Sequence, residues 1–134
     1  MEKATRVAER VLMASAGLAL VLGLIVWING AYEVLGIHEL LGYTLIASLW
    51  MLAVIAARSG VRRDLVVTAA SWGVLVLALG WGQQYLLEGS WHWVIRLLHL
   101  VISMASVAWG RSLAAAIHRK ELWRHGRVVT TSAG

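Results

Sequence analysis

Cysteine, proline and phenylalanine are absent from this chain, and charge is scarce. The lack of cysteine excludes a disulfide frame, a thiolate nucleophile and any sulfur-ligated metal. Only 14% of the 134 residues are charged, whereas 60% are apolar. Soluble domains carry about a quarter charged and about half apolar residues, so an ordinary water-soluble fold is excluded. Phosphate-binding glycine loops, dinucleotide fingerprints and hydrolase signatures are missing. No H-x-x-x-H, E-x-x-H or carboxylate cluster occurs, which argues against a zinc or copper site built from side chains alone. The missing phenylalanine has no physical account; eight tryptophans and three tyrosines supply the aromatic content.

Long apolar runs fill the chain. They cover residues 11–28, 38–57, 65–82 and 93–117, followed by a basic tail, 118–134. Each run suits a helix crossing a hydrocarbon core of about 30 Å at about 1.5 Å per residue. The first run is long for a signal-peptide core, and no small-x-small cleavage site follows Asn29 and Gly30, so it reads as a span. The connections are short, which makes consecutive helices antiparallel neighbours. The expected fold is all-α: a single integral membrane domain, an up-down four-helix bundle.

The formal charge of +5 does not point to nucleic acid, because the cations sit in clusters between apolar runs. Lys3, Arg6 and Arg10 precede the first run. Arg58, Arg62 and Arg63 lie between the second and third. Arg111, Arg119, Lys120, Arg124 and Arg127 lie at or after the end of the fourth. Eleven of twelve basic residues thus fall on one side, which places both termini in the cytoplasm. The expected location is a bacterial or archaeal inner membrane. Trp27, Trp81, Tyr85, Trp91 and Trp93 lie near the other boundary, as an interfacial aromatic belt would. Ala14, Gly17, Gly23, Gly73, Gly80, Ser103, Ala105 and Ser106 read as small residues that let helices approach. The tail after His118 reads as a helix lying near anionic lipid.

Ionisable groups inside a span are costly and mark candidate sites. Here they are His38, Glu39, His92, Arg96 and His99, all in the half away from the basic clusters. The second and fourth helices run in the same direction and can face each other across the bundle. Two imidazoles converging there have the geometry of six-coordinate haem ligation. His38 lies 20 residues from Arg58, and His99 lies 19 from His118, so their depths agree. His92, seven residues before His99, is the alternative partner, favoured if the fourth span ends at Arg111. Gly42 and Ser103, each one turn after a histidine, leave room for a flat macrocycle. Arg96 suits a bidentate contact to a propionate, or alternatively snorkels to headgroups or pairs with Glu39 or Glu88. Tyr43, Gln83 and Gln84 could hydrogen-bond the same edge.

The segments GIHELLGYTLIASLWMLAV and WVIRLLHLVISMASVAWG resemble bis-histidine membrane cytochromes, in particular one four-helix half of haem A synthase. Cytochrome b561-type proteins are similar by the same criterion. The resemblance implies a b-type haem held by His38 and His99 toward the outer face. The synthase has a glutamate three residues before its second-helix histidine, and this chain has Leu35 there. Haem binding is therefore the expectation that carries over, ahead of the methyl-oxidising activity.

The expected function is a small b-type membrane cytochrome with one haem b or more, transferring electrons near the outer face. Its partners would be the lipid bilayer, a quinol or another redox partner, and a second copy in a homo-oligomer. Two alternatives stand beside it. One is a half-size haem-modifying oxidase. The other is a cofactor-free channel or assembly subunit, although the nearly uncharged inner half argues against ion conduction.

Overall fold

The computed structural model describes residues 2–83, 85–86 and 89–131, with side chains described as far as Trp123. Four α-helices dominate: α1 (Glu2–Asn29), α2 (Leu35–Arg58), α3 (Arg63–Gly82) and α4 (His92–Thr131). Short 3₁₀ turns at Tyr32–Val34 and Gly89–Trp91 lead into α2 and α4. No strand occurs among the described residues. All four helices are long and apolar enough to cross a membrane.

The helices extend beyond their apolar runs. α1 begins at Glu2, nine residues before its run, and α4 continues through the basic segment to Thr131 without a break. Apolar runs mark the spans but not the helix ends, because charged residues such as Glu, Lys and Arg are good helix formers. The ends that matter are capped by glycine. Gly30 (φ 65°) follows α1, and its N–H reaches the Val26 carbonyl at 3.0 Å. After α2, Gly60 (φ 73°) donates to Ala57 O, and Val61 donates to Ala56 O. This paired pattern closes the last turn and needs a left-handed residue at that position. The chain therefore reverses within a few residues, and α3 packs beside α2.

α1 contacts α2 and α4, and α3 contacts α2 and α4. Of the two diagonals, α2 and α4 touch, whereas α1 and α3 do not. The second and fourth helices are thus the close pair across the bundle.

One spacing organises the interior. The buried residues of α1 are Thr5, Ala8, Leu12, Ser15 and Ala19, which alternate steps of three and four. In α2 the same steps connect Leu45, Leu49, Leu52 and Ala56; in α3, Ala69, Gly73 and Val76. In α4 they connect Ser106, Gly110, Leu113 and Ile117, all buried. A three-four alternation keeps one stripe of each helix facing the bundle axis. At the basic end this stripe is leucine-rich and tightly packed: Leu12, Leu49, Leu52, Leu113 and Ile117 are essentially inaccessible. A Cβ on Gly110 would lie 2.7 Å from Leu12 Cδ1, so α1 and α4 meet there at glycine distance. A Cβ on Gly73 would lie 2.6 Å from Trp50 Nε1, and that indole donates to the Ala70 carbonyl at 3.0 Å. Trp72 donates to Ile102 O at 2.9 Å and stacks obliquely on Trp109.

The outward faces remain apolar, with Leu18, Val21, Val67 and Val101 more than half exposed. Leucine and valine displayed this densely are compatible with a hydrocarbon environment. Two expectations about small residues do not hold. Ala14 and Gly17 are exposed, and a Cβ on Gly17 would meet nothing within 4 Å. They fall off the buried stripe, so they mediate no contact within the bundle.

Candidate functional site

The three-four stripe continues into the other half of the bundle, but its residues change. Stepping on from Ala19 leads to Gly23, and from Val76 to Gly80. Stepping back from Leu45 leads to Gly42 and His38, and from Ser106 to Ser103 and His99. Leucine gives way to glycine, serine and histidine at one level, and a cavity of about 350 Å³ opens there. Its walls include Ala19, Gly23, Trp27, His38, Gly42, Val76, Gly80, His99 and Ser103. Toward the end of the bundle its rim adds Tyr32, Glu39, Gln83, His92 and Arg96. The volume lies in the range of about 300–1,000 Å³ typical of small-molecule and cofactor sites.

His38 is held in a defined way. Its Nδ1 lies 2.9 Å from the Ala19 carbonyl of α1. A carbonyl only accepts, so Nδ1 carries the proton and donates. In that tautomer the lone pair is on Nε2. The ring rests on the bare α-carbon of Gly23, where a Cβ would lie 3.0 Å from Cε1 and 3.4 Å from Nδ1. Glycine on α1 is what lets an α2 imidazole reach the α1 backbone.

His99 is seated against α3 in a looser version of this arrangement. A Cβ on Gly80 would lie 3.4 Å from His99 Cε1, an ordinary contact. Both imidazoles line the same cavity. Among the described residues, His99 Nδ1 and Ser103 Oγ are buried without a hydrogen-bond partner. Leaving a buried polar atom unsatisfied costs about 1–3 kcal/mol, so this corner has an unused capacity to bind.

The remaining sequence-predicted residues divide. Gly42, Ser103 and Arg96 line the cavity. Among the described residues, no carboxylate lies within ion-pair reach of Arg96; Gln84 and Glu88 fall outside those residues. His92 also lines the rim, with Nδ1 3.4 Å from the Leu86 carbonyl. Tyr43 does not join them. It is 41% exposed on the outer face of α2, and its hydroxyl accepts a 2.8 Å bond from Trp81 Nε1. Five residues past His38 on a helix, Tyr43 faces away from the stripe. Trp27, expected in the interfacial belt, lines the cavity, and so does the exposed Trp81, whereas Tyr85, Trp91 and Trp93 are exposed away from it.

Gly23 and Gly80 are the site residues that sequence reasoning placed only as packing residues. The signal for their second role was present: each lies four residues past the last buried position of its stripe, at the level of a histidine.

No group of three or more His, Asp or Glu side chains converges as a metal site among the described residues. Comparison with protein-family models, curated proteins and solved structures returns no match to this chain. The features of the site itself are therefore the basis for assigning it. They combine a cavity with a largely apolar interior and a polar rim. Two imidazoles share one cavity, two glycines lie beside them, one buried ring nitrogen lacks a partner among the described residues, and an arginine stands at the rim.

Proposed function

We propose that the chain is a b-type membrane cytochrome whose outer cavity holds a haem between His38 of α2 and His99 of α4. The observation that carries this reading is the state of the two imidazoles. His38 commits Nδ1–H to the Ala19 carbonyl and so frees Nε2, and the half-buried His99 lines the same cavity with its Nδ1 buried and unsatisfied among the described residues. Ligands positioned by a hydrogen bond from the non-coordinating nitrogen are the usual arrangement in metal proteins. A haem held by these two histidines would supply one-electron chemistry, suited to electron transfer.

The chain's own residues then do four things. Ala19 orients the His38 ring. Gly23 and Gly80 leave the space beside the two rings. Arg96 offers a planar cation to a carboxylate at the rim. The packed leucines on the basic side close the cavity from below and keep the cofactor near one face. That face would be the outer one, with both termini cytoplasmic in an inner membrane, given the one-sided distribution of lysine and arginine. A quinol or small redox partner would then exchange electrons at the rim.

The test is haem loading. Purified protein from haem-replete cells is expected to bind haem b stoichiometrically, with a Soret band and a sharp α-band on reduction. A colourless protein that takes up no added haem would contradict the reading and favour a cofactor-free subunit.

A further inference from the structure

A second cavity lies at the opposite, basic end of the bundle, remote from the histidines. It is a crevice of about 430 Å³ between the start of α3 and the later part of α4. Its mouth carries Arg62, Asp64, Arg119 and Lys120, and its depth carries Leu65, Thr68 and Trp109. Arg62 and Asp64 satisfy each other through a two-point contact. Arg119 and Lys120 have no carboxylate partner among the described residues. The mouth therefore presents two uncommitted cations in addition to a neutral pair.

The polarity changes with depth. From Arg119 to Trp109 is ten residues of one helix, or about 15 Å. Over that distance the wall passes from two cations, through the Thr68 hydroxyl, to leucine and the half-buried Trp109 indole. A free phosphate would match the mouth alone. An amphiphile with an anionic head and an alkyl chain matches the whole crevice. Basic pockets between spanning helices at the cytoplasmic side have this complementarity for anionic lipid headgroups. We propose that this crevice binds one anionic phospholipid, its phosphate between Arg119 and Lys120 and the first part of an acyl chain along Leu65 and Trp109. The site is independent of the haem reading and would operate in the cofactor-free protein.

Native mass spectrometry of the full chain in mild detergent tests it, with phosphatidylglycerol, phosphatidylcholine and inorganic phosphate as probes. One phosphatidylglycerol is expected to bind at least about tenfold more tightly than phosphatidylcholine. The double variant Arg119→Gln/Lys120→Gln should lose that preference while keeping its helical circular dichroism. The charge-matched variant Lys3→Gln/Arg10→Gln should retain it. Equal losses in the two double variants would mean diffuse attraction to a basic end and would overturn the site. Displacement of the lipid by equimolar inorganic phosphate would overturn the assignment to an amphiphile.

Discussion

Gly23 and Gly80 occupy equivalent places beside the two histidines, yet they tolerate substitution differently. A methyl group on Gly23 would press on a ring that is pinned by its bond to Ala19, 3.0 Å away. That ring cannot retreat without giving up the bond. A methyl group on Gly80 would meet His99 at 3.4 Å, and His99 Nδ1 has no bond to lose. Overpacking of this kind costs about 1–3 kcal/mol. Gly23→Ala is therefore expected to weaken haem binding by about tenfold or more, and Gly80→Ala to leave it within about a factor of three. Haem titration followed at the Soret band measures both. Equal effects would show that the Ala19 contact does not hold the ring.

The same scale explains why the cavity was only partly legible in the sequence. His38, His99, Gly42, Ser103 and Arg96 could be chosen because ionisable residues are conspicuous in apolar runs and small residues one turn away are easy to find. Tyr43 was misplaced because proximity in sequence was used where helical phase decides direction. The Ala19 carbonyl could not be read at all, since every residue has one and only the packing of α1 against α2 selects it.

At the level of the helices, the three-four stripe divides the bundle into two functional halves. The basic half is a dry leucine core that fixes helix positions. The other half replaces bulk with glycine and serine and is held open from below. Leu49 is inaccessible and belongs to the packed half. Leu49→Ala should lower stability by about 2–5 kcal/mol, read from denaturant or thermal unfolding in detergent, with haem ligation unchanged in the fraction that remains folded. A change of ligation state in that variant would mean that the two halves are not separable.

Helix number and order were legible because each run is bounded by charge and long enough to span. Helix ends were not: α1 and α4 run on through charged residues that favour helix as strongly as the apolar ones do. Glycine placement was read generically as close packing. The structure distinguishes Gly110 and Gly73, which serve contacts between helices, from Gly23 and Gly80, which serve the histidines.

Across the whole molecule, the distribution of charge makes a claim that does not depend on any cofactor. The termini and the α2–α3 turn should share one side, and the two loops without lysine or arginine should share the other. The absence of cysteine provides a clean background for labelling. Single cysteines introduced at Lys3 and Ser90 are expected to react with an impermeant maleimide from opposite sides of sealed vesicles. Reaction of both from one side would overturn the four-span topology.

The central claim is that His38 and His99 hold one iron between them, and ligand replacement followed by spectroscopy of the ferric protein tests it most directly. The native protein is expected to give the low-spin signature of two histidine ligands. His38→Ala and His99→Ala should each lose haem or turn high-spin, whereas His92→Ala should keep the native spectrum. A His99→Ala protein that retains a bis-histidine low-spin spectrum would contradict the account and move the second ligand to His92.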